Sequence, residues 1–271
     1  MCIKKLEPIL KEIGEISFYD LLCEEHMNNF FTKNLSTIVE VCNFLNSITF
    51  IGKLAPHTVD KTITPHLYPS FSSQYQPRVT TGDGSCLWNM ISLGICGSEI
   101  LMKYLRLLTV VGLLLFKKDF YKLLENRFKN LDQSFPENQA KLKFEGILRI
   151  AMDTYEFGNE YHLLVLSTVL SRNIYVYSYF TRKGELMLPK CTSDIELLKH
   201  FDDRTCKSSL VGQHLRYEPL NNRIFNKNLN FQNLYGFFAA SWKHYAALIP
   251  KTNVNIVYTP QLNLFVQHDD C

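Results

Sequence analysis

A chain of 271 residues with 46% hydrophobic and 13% aromatic residues can bury a complete core, which excludes a largely disordered protein. The 29 lysines and arginines exceed the 26 aspartates and glutamates by a formal charge of only +3, and this unclustered excess does not favour a nucleic-acid partner. The most apolar stretch, residues 105–116, is far shorter than the roughly 20 residues of a membrane-spanning helix. The first residues mix charges into their apolar positions, unlike a signal peptide, so we expect a soluble cytoplasmic or nuclear protein without a membrane partner.

The first 55 residues predict amphipathic helices, because their apolar side chains recur at steps of three and four. Residues 56–82 contain four prolines among serines and threonines, which favours an extended linker. We therefore divide the chain into a helical extension with a proline-containing linker (1–75), a main domain (76–250) and a C-terminal tail (251–271).

The main domain predicts helices that surround a small sheet. Helical periodicity covers residues 98–127, as one or two helices, and then residues 138–153 and 160–171. Residues 173–180 are rich in β-branched and aromatic side chains, as is typical of a buried strand. Two further strands, 234–240 and 245–249, predict a hairpin with His244 where the second strand begins. The fold class is therefore α/β or α+β, with a small central sheet flanked by helices.

Eight cysteines are spread along the chain without any C-x-x-C pair, which favours neither a zinc site nor a disulfide framework. We expect most of them to be buried thiols that pack as small apolar groups. The histidines outside the positions discussed below show no ligand spacing either, so we predict no metal and no cofactor.

Cys86 differs from the other cysteines because Gly82, Asp83, Gly84 and Ser85 precede it directly and a helical apolar pattern follows it. This order predicts a tight turn that delivers the cysteine to the first turn of a helix. Free amide groups at a helix N-terminus favour the reactive thiolate and can also stabilise an oxyanion. Such a nucleophile needs a base, usually a histidine from far along the chain. The competing interpretation is a thiol packed in the core.

Three ordered motifs resemble the ovarian tumour (OTU) family of cysteine proteases, many of which are deubiquitinases. Residues 83–88, DGSCLW, resemble the family signature D-G-x-C-L-[FW]. Residues 157–167 with the strand from 173 to 177 resemble its glycine-marked helix and central strand, and residues 242–248, WKHYAAL, resemble its final histidine block. The resemblance covers about residues 78–250 and is nearest to the divergent OTU domains of vertnin-like and transposon-associated animal proteins.

The resemblance implies a papain-like OTU cysteine protease fold for residues 76–250 and a thiol-dependent deubiquitinase activity. Cys86 would be the nucleophile and His244 its base, while the amides of Asp83, Gly84 and Cys86 would form the oxyanion hole. The substrate would be the isopeptide bond between a lysine and ubiquitin or a ubiquitin-like protein, and the partners would be such conjugates.

The chain departs from the family pattern two residues after the histidine, where Ala246 replaces the usual Asn or Asp. Alanine cannot accept the hydrogen bond that holds the imidazole in its useful tautomer. Asp60 or Asp83 could replace that group, and so could a backbone carbonyl or a water; we count Asp83 among the candidate catalytic residues. The departure also leaves open an alternative function, an OTU-fold interaction module that has lost efficient catalysis.

These residues also have simpler, purely structural interpretations. Asp83 could serve only as a turn former, Asp60 as a solvated linker residue, and His244 as a hydrogen-bonded structural histidine. His162 and Trp88 are most simply helix-packing side chains.

Overall fold

The computed structural model describes residues 2–48, 58–67, 75–129, 138–178, 214–217, 233–239 and 244–251. Eight α-helices and five strands lie within these ranges. The helices are α1 (Glu7–Glu15), α2 (Phe18–Leu22), α3 (Glu24–Ser47), α4 (Cys86–Cys96), α5 (Met102–Leu115), α6 (Lys117–Lys129), α7 (Gln139–Met152) and α8 (Glu160–Val169). The strands are β1 (Tyr75–Arg78), β2 (Ile174–Ser178), β3 (His214–Tyr217), β4 (Leu234–Ala239) and β5 (His244–Pro250), and short 3₁₀ turns lie at Ile3–Leu6 and Thr64–His66.

The strands form one mixed sheet in the order β1-β5-β4-β2-β3, in which only β2 and β4 run parallel. Strands β4 and β5 form an antiparallel pair in which Ala239 lies opposite His244. This pairing confirms the predicted hairpin, with His244 as the first residue of its second strand. The C-terminal tail, 251–271, lies outside the described residues except for its first residue.

The proline-containing segment 56–82, for which an extended conformation is predicted, includes the edge strand β1 (Tyr75–Arg78), which pairs with β5. Pro77 is tolerated there, since an edge strand does not need every N–H for its ladder. A preceding segment packs against this edge: Val59 pairs with Arg78, and the Asp60 amide donates to the Pro77 carbonyl at 2.9 Å.

A single large apolar cluster joins the sheet to the surrounding helices. Helix α4 lies at its centre, buried on all sides, and packs against β5 and β4. Gly236 on β4 allows this close approach, because a Cβ there would collide with the sulfur of Met90. The first turn of α4, which begins at Cys86, is thereby held against the start of β5.

The N-terminal helices belong to the same apolar cluster, which includes Leu6, Leu21, Ile38 and Leu45. Polar contacts add to this packing: the Lys117 ammonium donates to the Leu22 carbonyl at 2.9 Å. The buried Arg172 guanidinium donates to the carbonyls at the C-terminal end of α3. The N-terminal helices therefore complete the core, and the boundary near residue 75 stays a prediction.

The observed class, a mixed α/β fold with a small sheet flanked by helices, confirms the predicted class. None of the helices in the described ranges is long and apolar enough to cross a membrane. Within the same ranges, no three His, Cys, Asp or Glu side chains cluster as metal ligands would.

Candidate active site

The turn before Cys86 has the predicted form and delivers the cysteine to the first turn of α4. Gly84 has φ +89°, and a Cβ at this position would collide with the backbone carbonyl of Tyr155. Only glycine fits both the backbone angle and this close approach. The Ser85 amide donates to the Asp83 carboxylate at 2.9 Å, which closes the turn from the other side.

Arg106 of α5 stabilises this turn through hydrogen bonds of its guanidinium group. Its side chain is buried, and Nη2 donates to the carbonyls of Gly84 at 3.3 Å and Glu156 at 3.0 Å. The guanidinium also lies 3.7 Å from the ring centre of Trp88 in α4. Burial lowers the pKa of Arg106 to about 10, while Asp83, Asp153 and Cys86 raise it, so the side chain stays cationic. One charged group thus joins the cysteine turn, helix α4 and the loop before α8.

Cys86 lies in a buried pocket of backbone amides. The side chain is 0% exposed, and the backbone amides of Tyr245, Leu87 and Cys86 itself act on its sulfur. Burial is the largest effect and raises the pKa of the thiol, whereas the three amides lower it and Asp83 raises it. The amides supply the predicted stabilisation of a thiolate, but burial outweighs it.

His244 begins the strand that packs against the helix of Cys86, and the backbone amide of the next residue, Tyr245, lowers the pKa of the thiol. The imidazole is half-buried, and its Nε2 lies 3.0 Å from the hydroxyl of Thr80. Burial lowers the pKa of His244, while the carboxylates of Asp60 and Glu99 raise it. The structure therefore brings the two predicted motif residues, nucleophile and base, to the same end of the sheet.

Asp60 and Asp83, the two acids considered as orienting groups for His244, form hydrogen bonds with other residues. Asp60 is only 6% exposed, and its Oδ1 accepts from the Thr62 amide at 2.9 Å and the Ile63 amide at 3.2 Å. Its interpretation as a solvated linker residue is therefore wrong, because the edge strand β1 draws the segment into the fold. Asp83 is exposed and bonds the Ser85 amide, as a turn former does. Among the described contacts, neither carboxylate is hydrogen-bonded to His244.

Two of the three amides predicted for an oxyanion hole have no protein acceptor within the described part of the chain, namely those of Asp83 and Gly84. The third amide, that of Cys86, lowers the pKa of its own thiol. The Ser85 amide is occupied by Asp83. The turn can therefore offer N–H donors beside the thiol.

His162 has the structural role predicted for it. Its Nδ1 accepts from the Asn159 amide and its Nε2–H donates to the Ile147 carbonyl, both at 2.9 Å. This capping box starts α8, and burial lowers the histidine's pKa to about 4.

Sequence reasoning missed two residues of the site, Thr80 and Arg106. Arg106 did carry a signal, because a lone arginine inside the apolar run 105–116 is costly unless its guanidinium is fully hydrogen-bonded. No sequence signal identified Thr80, because a threonine before a glycine turn is common and its contact with His244 joins residues far apart in the sequence.

A cysteine at a helix N-terminus and a histidine at the start of an adjacent strand are the two side chains that nucleophilic catalysis by cysteine requires. The family model described as "Vertnin, OTU domain" matches residues 77–183, less than half of the chain but including the Cys86 turn and the α8 block. This part of the chain is thus similar to a divergent vertnin-like OTU domain, as the motifs predicted. His244 lies beyond the matched range. No curated protein matches the chain.

Solved structures similar to this chain are OTU domains at low identity. The OTU domain protease of Taggert virus is 12% identical, with 68% of this chain and 85% of that chain covered and a TM-score of 0.41. The corresponding protease of Farallon virus is 11% identical, with 66% and 86% covered and a TM-score of 0.39. The OTU domain of OTUD1 is 16% identical, with 70% and 94% covered and a TM-score of 0.40. All three TM-scores lie below 0.5, so the OTU assignment rests on the family model and the motifs.

Proposed function

We propose that this protein is an OTU-type thiol isopeptidase that removes ubiquitin, or a ubiquitin-like modifier, from lysine side chains in the cytoplasm or nucleus. The observation that carries the proposal is the position of Cys86 beside the residue that follows His244: α4 packs against β5, and the backbone amide of Tyr245 lowers the pKa of the Cys86 thiol. This packing brings the cysteine motif and the histidine motif, which are far apart in the sequence, to one place. The turn amides of Asp83 and Gly84 beside the thiol support the same chemistry.

The reaction follows from these groups. His244 takes the proton of Cys86, and the thiolate sulfur attacks the isopeptide carbonyl carbon to form a C–S bond. The turn amides stabilise the oxyanion of the tetrahedral intermediate. When the C–N bond breaks, the lysine amine leaves with the proton from His244, and a thioester remains on Cys86. A water, deprotonated by His244, then attacks the thioester, releases the modifier with a free carboxylate and restores the thiol.

The proposal is tested by covalent labelling with a ubiquitin probe that carries a thiol-reactive C-terminal group. We expect wild type and Cys23→Ala to be labelled, Cys86→Ala to be unlabelled, and His244→Ala to be labelled more slowly. Cys23 is the matched control because it is an exposed thiol, so its loss reveals any non-specific reaction. A folded wild type that reacts with neither ubiquitin nor a panel of ubiquitin-like probes would contradict the proposal.

A second candidate function is a non-catalytic interaction module, which the 0% exposure of Cys86 and the apolar side chain of Ala246 favour. Such a module would bind ubiquitin without reacting with it. Titration calorimetry with free ubiquitin separates the candidates: saturable binding by an unlabelled wild type, unchanged in Cys86→Ala, would support the module.

A further inference from the structure

We propose that Thr80 is the positioning residue of His244 and performs, through its hydroxyl group, the task that an Asn or Asp two residues after the histidine performs in other OTU sequences. The inference rests on the proposed function, and it names the orienting group that Ala246 cannot supply. The residue lies in the short segment between β1 and the Gly82 turn, next to the start of β5.

The contact is direct and shielded from solvent. Thr80 is 3% exposed, and its Oγ1 lies 3.0 Å from Nε2 of His244. The same hydroxyl contacts the backbone carbonyl of Tyr245. Thr80 therefore touches the imidazole and, at the same time, the backbone of the strand that carries it.

The Thr80 hydroxyl has a single proton, and this determines the direction of its hydrogen bonds to His244 and to the Tyr245 carbonyl. A threonine hydroxyl has one proton to donate, and a carbonyl oxygen can only accept. The proton of Thr80 therefore goes to the Tyr245 carbonyl, and a lone pair of Oγ1 faces Nε2. Nε2 must then carry a hydrogen, which leaves Nδ1 as the unprotonated nitrogen of the neutral ring. Thr80 thus selects the tautomer in which Nδ1 is free to accept the proton of the thiol.

The backbone on both sides of Thr80 is held, so its hydroxyl is preorganised. The Val79 amide donates to the Thr58 carbonyl at 3.0 Å, and both the amide and the hydroxyl of Thr81 donate to the Glu99 carboxylate. A side chain that is held in this way loses little entropy when it orients the imidazole.

The other polar groups near His244 act through their charge. Asp60 faces the histidine from the segment that packs on β1, but its Oδ1 is occupied by donors of its own turn. Glu99 faces it from the segment before α5 and is occupied by Thr81. At the site of the missing acid, the Ala246 side chain lies in a small apolar cluster with Ile63 and Leu248. Within the described residues, Thr80 is thus the side chain that contacts a ring nitrogen of His244.

The first test reads the tautomer and does not depend on any enzymatic activity. Nitrogen-15 NMR of the histidine rings is recorded on the full chain, with the His244 signals assigned from His244→Ala. We expect neutral His244 to carry its hydrogen on Nε2 in wild type and in Thr80→Ser, which keeps the hydroxyl. Thr80→Val should give a mixture of tautomers and a lower pKa for His244, because the imidazolium also loses an acceptor. An unchanged tautomer and pKa in Thr80→Val would overturn the inference.

The second test measures cleavage of a ubiquitin–lysine isopeptide substrate. Thr80→Val should lower kcat about 10- to 100-fold with KM unchanged, since the lost bond is to a group that becomes charged during the reaction. Thr80→Ser should recover most of the rate. Thr32→Val is the matched control: it removes an exposed hydroxyl on α3 that bonds the Asn28 carbonyl, and it should leave the rate unchanged.

The outcomes separate this inference from the proposed function. A wild type that cleaves nothing while Thr80→Val alters the tautomer would contradict the function and support the role of Thr80. An active wild type whose kcat and tautomer are both insensitive to Thr80→Val would contradict the role of Thr80 alone. If Thr80→Val does not unfold cooperatively, Thr80→Ala takes its place in both tests with the same expected results.

Discussion

Burial acts on the titratable side chains of this protein in opposite directions. It raises the pKa of Cys86 and lowers the pKa values of His244 and His162, because in each case the low-dielectric interior disfavours the charged form. Nearby groups shift these pKa values back: backbone amides favour the thiolate at Cys86, and carboxylates favour the imidazolium at His244. A proton transfer between these two residues thus depends on groups that counteract burial.

His162 leads to a prediction for stability against pH. Its pKa is lowered from 6.5 to about 4 in the folded state, so the unfolded chain binds a proton more readily below pH 6.5. The free energy of unfolding should therefore fall as the pH falls from 6.5 to 4, by about 1.4 kcal/mol per pH unit from this residue. Urea unfolding at several pH values measures this slope.

The contribution of His162 is isolated by comparing variants. His162→Gln should unfold with a shallower dependence on pH over this interval than wild type does. His26→Gln, which removes an exposed imidazole on α3, is the control for the loss of one histidine. Equal slopes in wild type and His162→Gln would show that His162 does not stay neutral in the folded protein.

Helix α5 places the charged side chain of Arg106 in the core, where it stabilises the turn before Cys86. Arg106 donates to backbone carbonyls on both sides of the site, including those of Gly84 and Thr154. The carbonyls of Gly84 and Thr154 belong to irregular segments, whereas two further acceptors, those of Ile150 and Ala151, lie at the C-terminal end of α7. The guanidinium supplies the donors that such buried carbonyls need.

Arg106→Gln should destabilise the protein by about 2–5 kcal/mol, because several buried carbonyls lose a charged donor. It should also slow probe labelling of Cys86 at least about tenfold, since the Gly84 turn loses its support. Thermal unfolding and labelling rates measure the two effects. Arg149→Gln is the control, because Arg149 is an exposed arginine that stacks on the Phe18 ring at 3.7 Å. Equal losses of stability in the two variants would contradict this role of Arg106.

One apolar core joins the N-terminal helices to the rest of the described fold. Leu21 of α2 is completely buried in this core, while Tyr19 on the same helix is 79% exposed. The shared core implies that the N-terminal helices and the rest of the described fold unfold together.

Leu21→Ala should lower the free energy of unfolding by about 2–5 kcal/mol and leave a single thermal transition. Tyr19→Ala should change it by less than about 0.5 kcal/mol. Calorimetry on the full chain measures both. If Leu21→Ala produced a separate early transition while the main transition kept its Tm, the N-terminal helices would form an independent unit.

Much of the secondary structure could be predicted because its signals are local. Helices α7 and α8 lie within two residues of their predicted bounds, since their apolar periodicity is a property of short segments. Strand β1 was missed because it is stabilised by pairing with β5, which lies far along the chain, and because Pro77 argues locally against a strand.

The glycine turn and the helix that starts at Cys86 follow from local sequence, because backbone angles and apolar spacing act over a few residues. The motifs also indicated the resemblance to OTU domains and the strand that begins at His244. In contrast, the contact between Thr80 and His244, the buried position of Asp60 and the carbonyl partners of Arg106 arise only when the chain folds. Each of these depends on how distant segments pack against one another, and no local pattern of residue types encodes which hydroxyl or guanidinium reaches which partner.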